Sequence, residues 1–343
     1  MIFSRRRTLA ILLLASPALL SGAAARKAPT RPAEPADSAA YKGAIVVDVG
    51  TGNVLFEDRA DFIGPPASVT KLMTFLIVHD RIARGDLTLQ TPVTVTAEAA
   101  KTGGSQVYLA EKEVFPVEEL LYALMIASAN DAATALAIHC AGSKSAFVEL
   151  MNARAQELGM TKTMFRSPHG LPPVGRKIAD SDLTTPRDLA TLSVHLLKKT
   201  NILTYCSVKQ RIFRPGPKQQ EMINHNKLLG KVAGVDGLKT GFTQGAGFCL
   251  AATALRNGRR VLAVTMGSPD SKTRDLKIAE LLERGFAKLP PALAAPAVAA
   301  DAPIKPAPTR AAPATTTATP SPGAPAAAAN SGDAPVRFVI PKR

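Results

Sequence analysis

Apolar and polar positions alternate along this chain in a way that changes period twice. Gly43-Ala44-Ile45-Val46-Val47-Asp48 and Val54-Leu55-Phe56-Glu57 flank the turn residues Gly50-Thr51-Gly52-Asn53, which predicts a β-hairpin. Pro65-Pro66-Ala67-Ser68 then precedes an apolar run from Leu72 to Val78. Proline just ahead of such a run marks a helix start, so Ser68 is expected at the beginning of a helix. Pro116 opens a second apolar-periodic helix through Ile126. Asp131–Ala141 and Lys144–Leu158 read as two more, with Gly142 and Gly159 as stops. Thr185-Pro186 opens another, through Leu197.

Strand signals return late. Gly237–Gly241 leads into the apolar run Phe248–Leu255, Asn257-Gly258 is a strong hairpin turn, and Arg260–Met266 pairs back. A final helix is expected from Asp270 to Arg284, stopping at Gly285. Two strands, several helices, two or three strands and one helix predict an α+β fold. Its antiparallel sheet is built from both chain ends, with a helical cluster between.

The two ends of the chain differ in composition from its middle. Arg5, Arg6 and Arg7 precede an apolar stretch Leu9–Leu20, followed by small residues Ser21–Ala25. That is the pattern of an export signal over residues 1–25, and the apolar run is shorter than the roughly 20 residues that span a bilayer. Ser4-Arg5-Arg6-Arg7-Thr8-Leu9 also fits a twin-arginine signal, so the route stays open between that and general secretion. Residues 26–39 read as a linker and residues 40–289 as one domain. Residues 290–343, dominated by Ala, Pro and Thr, read as a disordered tail, because few large apolar side chains are there to offset ordering entropy. The expected location is the periplasm or cell envelope, with no transmembrane segment once the signal is removed.

A formal charge of +15 raises the question of nucleic acid. The Lys and Arg residues are spread along the chain with few aromatic residues to stack bases, and export argues against that partner. A basic surface facing an anionic polymer fits the charge equally well. Cys140, Cys206 and Cys249 have no metal-type spacing and read as small buried hydrophobes. His79, His139, His195 and His225 show no metal spacing either. No cofactor or metal is expected.

Three short motifs carry chemistry: Ser68-Val69-Thr70-Lys71, Ser128-Ala129-Asn130 and Lys239-Thr240-Gly241. At i, i+3 on a helix start, Ser68 and Lys71 share a face. A serine hydroxyl needs a base, and lysine serves as one only when burial or a second cation lowers its pKa. Lys239 would be that cation. The Ser128 hydroxyl could pass a proton to a leaving nitrogen, and the Asn130 amide could hold a substrate carbonyl together with the lysine. Lys239 and Thr240 could bind a carboxylate, and Gly241 would let a substrate backbone lie close. The backbone N–H of Phe242 could complete an oxyanion hole with that of Ser68. Each motif alone is weak; together and in this order they match penicillin-recognising serine enzymes.

The flanks Leu124–Ala133, Ser167-Pro168-His169-Gly170-Leu171 and Val235–Thr243 make the chain resemble, over residues 40 to 288, the low-molecular-mass D-alanyl-D-alanine carboxypeptidases of the S11 serine peptidase family. The resemblance implies the penicillin-binding, transpeptidase-like fold. It also implies removal of the terminal D-alanine from peptidoglycan stem pentapeptides through an acyl-serine, and sensitivity to β-lactams. It implies too that Arg274, in Ser271-Lys272-Thr273-Arg274, helps bind the terminal carboxylate. Two departures stand out. Ala129 replaces the glycine common at that position. Where many members continue into a β-rich domain and an amphipathic membrane helix, this chain has its Ala/Pro/Thr-rich tail.

His169, the histidine within a family motif, reads as a loop-packing residue, with a place in the pocket wall as the alternative. Alternatives are a DD-endopeptidase using the same site, a β-lactamase, or a non-catalytic wall-binding protein. Glu149, Glu157 and Glu221 are the only glutamates between Asn130 and Lys239, and none sits in the context of a β-lactamase deacylating base.

Overall fold

The computed structural model describes residues 40–172 and 178–289. The chain divides into a unit of residues 1–292 and a unit of residues 293–343; the export signal, linker and tail lie outside the described residues.

In chain order, β1 (Gly43–Asp48) and β2 (Val54–Asp58) form the first hairpin. A 3-10 turn, Ala67–Thr70, runs directly into α1 (Lys71–Ala83). β3 (Pro92–Thr94), α2 (Ala97–Ala100) and β4 (Val114–Pro116) follow, then α3 (Val117–Met125), α4 (Asn130–Ala141) and α5 (Lys144–Glu157). α6 (Pro186–Lys199), α7 (Leu203–Cys206) and a small hairpin of β5 (Gln210–Phe213) and β6 (Gln220–Ile223) come next. β7 (Val235–Thr243), β8 (Gly247–Arg256), β9 (Arg259–Ser268) and α8 (Ser271–Lys288) close the fold. The main sheet is antiparallel in the order β2-β1-β9-β8-β7, so the first hairpin pairs with the last strand, as the sequence pattern predicted.

The sheet is covered on both faces, which is why β1 and the middle of β8 and β9 read as unbroken apolar runs. Ile45, Val47, Leu262 and Val264 join the large core under the helical cluster, with Leu72, Leu76, Leu136 and Leu192. Their neighbours Ala44, Val46, Val261 and Ala263 point the other way, onto Ile278, Leu281 and Leu282 of α8. Strand side chains alternate by two, so one register serves both layers.

The helix boundaries follow local chemistry. Thr185 and Asp270 cap α6 and α8, accepting from the amides of Asp188 and Thr273. Gly142 ends α4 in the left-handed region at φ 78. One reading is corrected: Gly285 does not stop the last helix, which runs on to Lys288. A Cβ on Gly285 would lie 2.7 Å from Val261 and 2.8 Å from Val46, so this glycine is where α8 presses against the sheet. The β3–β4 and β5–β6 pairs carry no strong alternation and were not apparent from the sequence. The three thiols are free, with Cys206 and Cys249 buried.

Candidate active site

The 3-10 turn Ala67–Thr70 places Ser68 and Lys71 on adjoining turns at the head of α1, beside β7. Ala67 holds a positive φ of 49°, a strained value for alanine that turns the chain sharply into the serine. Gly241 on β7 faces this turn so closely that a Cβ would lie 2.5 Å from the Pro66 carbonyl and 3.0 Å from the Ser68 amide nitrogen. Gly170, at φ 87, approaches from a third side, with no room for a Cβ against the Ala67 carbonyl. First motif, third motif and the 167–171 loop are therefore in contact through their backbones.

Lys71 lies at the centre, fully buried. Its Nζ is 3.1 Å from Ser68 Oγ, 2.6 Å from Asn130 Oδ1 and 2.8 Å from the His169 carbonyl oxygen. Burial lowers its pKa well below the ordinary lysine value, and the charge of Lys239 lowers it further. A neutral amine has two N–H donors and one lone pair. Asn130 Oδ1 and the His169 carbonyl can only accept, so they take both donors. The lone pair is then left facing the Ser68 hydroxyl, as a general base requires.

Asn130 is itself held on both sides. Its Nδ2 donates to the Gly103 carbonyl at 2.8 Å and its backbone N–H to Ser105 at 2.7 Å. The next residue, Asp131, is buried and accepts from the amides of Val107, Leu109 and Ala132, which pins the same loop. Ser128 is buried between α3 and α4 with a left-handed φ of 58°. Ala129 sits in the core at φ −62°, a conformation that needs no glycine.

Lys239 is also buried, and its Nζ donates to the Thr240 carbonyl at 2.9 Å. Burial, then the charge of Arg274, lowers its pKa to about 7. Arg274, near the start of α8, is buried and directs Nε and Nη2 at Asp275. Its guanidinium lies 5.8 Å from the Phe248 ring centroid, and Phe242 stacks on Phe248 at 4.1 Å while remaining half exposed. Lys239, Thr240, Gly241, Phe242 and Arg274 thus gather along one edge of the sheet. Asp275 pairs with Arg274, while Lys239 donates to a backbone carbonyl.

A family model described as D-alanyl-D-alanine carboxypeptidase matches residues 28–270. The chain belongs to that family. D-alanyl-D-alanine carboxypeptidase DacF of Bacillus subtilis is 34% identical over 248 residues, covering 72% of this chain and 62% of the relative. The D-alanyl-D-alanine endopeptidase of Escherichia coli is 32% identical over 258 residues, covering 74% of this chain and 79% of the relative. Among solved structures, penicillin-binding protein D2 of Listeria monocytogenes in its ampicillin-bound form superposes with a TM-score of 0.65. It is 31% identical and covers 74% of this chain and all of that one. The penicillin-binding fold expected from the motifs is therefore the fold found. The chain spans about three fifths of the length of the carboxypeptidase relatives.

Sequence reasoning did not reach the backbone acceptors. His169 reads as a packing residue, and its ring is indeed buried and neutral, with its pKa lowered to about 3 by burial and then by the charge of Lys71. Its carbonyl, however, is what accepts from Lys71 Nζ. Carbonyls carry no side-chain signature, and the partners that bury Asp182, Thr70 and the Arg166 and Ser167 amides, lie 112, 16 and 15 positions away. Among the described residues there is no His, Cys, Asp and Glu cluster able to hold a metal, and no helix long and apolar enough to cross a membrane.

Proposed function

We propose that residues 40–289 form a serine-type D-alanyl-D-alanine carboxypeptidase that removes the terminal D-alanine from peptidoglycan stem pentapeptides through an acyl-serine, and that β-lactams acylate the same serine. The observation that carries this reading is the setting of Lys71, where two acceptors, Asn130 Oδ1 and the His169 carbonyl, turn a depressed-pKa amine toward Ser68 Oγ.

The terminal carboxylate sits against Lys239, Thr240 and Arg274, and its negative charge raises the Lys239 pKa from its resting position so that the lysine binds as a cation. Lys71 takes the Ser68 proton and Oγ attacks the penultimate carbonyl carbon. The amides of Ser68 and Phe242 receive the oxyanion; Gly241, directly before Phe242 and packed against the Ser68 amide, lets them converge. Ser128 gives its proton to the leaving D-alanine nitrogen as the C–N bond breaks and takes in its place the proton that Lys71 removed from Ser68, which returns Lys71 to its neutral form. Lys71 then takes a proton from water as the water attacks the ester, and passes it to Ser68 Oγ as the ester bond breaks. Export to the cell envelope belongs to the same proposal and rests on residues 1–25.

Glu149, Glu157 and Glu221 are exposed, whereas the carboxylates buried with Lys71 are Asp131 and Asp182, each already accepting several hydrogen bonds. That favours slow deacylation of a bound penicillin over β-lactamase turnover. Cleavage of cross-links is the second reading, since an endopeptidase relative shares most of its length with this chain.

The test is incubation of wild type and Ser68→Ala with a fluorescent penicillin, followed by assay of D-alanine release from a pentapeptide and from a cross-linked muropeptide. Stable labelling of wild type only, with release from the pentapeptide, is the expected result. Labelling of Ser68→Ala at the wild-type rate would refute the assignment of the nucleophile.

A further inference from the structure

Asp182 lies in a short extended segment just before α6, threaded between two parts of the site. Leu183 forms an isolated bridge with Met164, and Thr184 forms one with Gly64, four residues ahead of Ser68. Between these anchors the Asp182 carboxylate is buried. Its Oδ1 accepts from the amides of Arg166 at 2.6 Å and Ser167 at 2.9 Å. Its Oδ2 accepts from Thr70 Oγ1 at 2.8 Å and Ser167 Oγ at 3.1 Å. Thr70 is the residue before the base, Lys71. Ser167 Oγ in turn accepts from the Gly170 amide at 2.8 Å, closing a turn around His169. The Pro168 carbonyl accepts from Thr74 Oγ1, one turn further along α1.

One carboxylate therefore ties the head of α1 to the loop whose His169 carbonyl takes one of the two Lys71 donors. We propose that Asp182 is a positioning residue for Lys71: by clamping Thr70 to the 166–170 loop it holds the His169 carbonyl on the lysine, and its buried negative charge opposes Lys239. This rests on the proposed role of Lys71 as general base.

The charges around Lys71 come from several elements. Lys239 on β7 disfavours its proton; Asp182 and Asp131, the latter on α4, favour it. The His169 ring is neutral, and Lys144 at the start of α5 adds to the field that keeps it so. His225, ahead of β7, is held neutral as well, its pKa lowered to about 4 by burial and then by Lys239, Lys227, Lys71 and Arg274. Asp182 is thus one of two carboxyl groups whose charged form balances a cationic site, and its four hydrogen-bond donors support that form. Burial raises its own pKa, and its hydrogen bonds oppose that rise. A neutral replacement of the same shape should lower the pKa of Lys71, because the proton on Lys71 loses a favourable partner.

The experiment compares wild type, Asp182→Asn and Asp182→Ala as full chains. It records the second-order rate of acylation by a fluorescent penicillin as a function of pH, with Ser68→Ala as control. In Asp182→Asn, the acidic limb of the profile should move to lower pH by on the order of half a unit, with a melting temperature close to that of wild type. In Asp182→Ala, where the clamp is gone, the plateau rate should fall on the order of 10²-fold, as expected for a base displaced by about 1 Å. An unchanged limb in Asp182→Asn would overturn the proposal, even if Asp182→Ala failed to fold. The same midpoint can be read from the Lys71 13Cε resonance in lysine-labelled protein without any reaction. A chain that took up no penicillin would refute the proposed activity, and the resonance would still decide the role of Asp182.

Discussion

Gly241→Ala tests whether the third motif works by backbone approach. The added Cβ would lie 2.5 Å from the Pro66 carbonyl oxygen, 3.0 Å from the Ser68 nitrogen and 3.1 Å from the Val69 nitrogen, where ordinary contact begins at 3.4 Å. All three neighbours are backbone atoms of the turn that carries the nucleophile, so no rotamer change relieves the clash. β7 must retreat from that turn by about 0.9 Å. Overpacking of this kind costs roughly 1–3 kcal/mol of stability, which a domain of this size should survive. The same displacement pulls the Phe242 amide away from the Ser68 amide, and a misplacement near 1 Å costs about 10²-fold in rate. The assay is the acylation rate with a fluorescent penicillin, alongside a urea melt of the same preparation. The expected result is a folded protein with acylation slowed by about two orders of magnitude. A variant that acylates within about threefold of wild type would show that the oxyanion site tolerates separation and would refute the argument.

Lys239→Gln removes the cation that disfavours protonation of Lys71, so the Lys71 pKa rises and the acidic limb of the acylation profile should move to higher pH; a limb that stayed or moved down would contradict the charge balance described. Gly285→Ala puts a methyl group 2.7 Å from Val261 and 2.8 Å from Val46. It should lower stability in urea by roughly 1–3 kcal/mol while leaving the acylation rate near wild type, since it moves the far end of α8 rather than the site. Burial raises the pKa of Cys140 to about 12 and of Cys249 to about 11, and that of Cys206 upward as well. A disulfide reagent such as DTNB should therefore label none of them in the native protein at pH 8 and all three after denaturation; rapid native labelling of Cys206 would show that α7 opens.

Much of this protein was legible from its residues because the signals were local. The Asn257-Gly258 dipeptide turns β8 into β9 with both residues at positive φ, as its chemistry requires. Thr185-Pro186 starts α6, and Gly142 ends α4. The Ser68–Lys71 spacing brings the two side chains together at the head of α1, Nζ 3.1 Å from Oγ. Gly285 was misread because a glycine late in a helix has two explanations, a stop or a close contact, and only the position of Val46 and Val261 distinguishes them.

By itself, then, the sequence determined the first hairpin, the longer helices, the closing strands and the three motifs with their side chains, all of which depend on neighbours a few positions apart. Tertiary structure decided how those side chains act. Asn130 reaches Lys71 across 59 positions, the His169 carbonyl across 98, and Asp182 reaches Thr70 across 112. Such contacts leave no periodicity to read, because the backbone carbonyls have no residue identity and the carboxylates look like any surface acid until folding buries them. The depressed pKa of Lys71 comes from that same burial and from Lys239, brought alongside only when β7 packs against the head of α1.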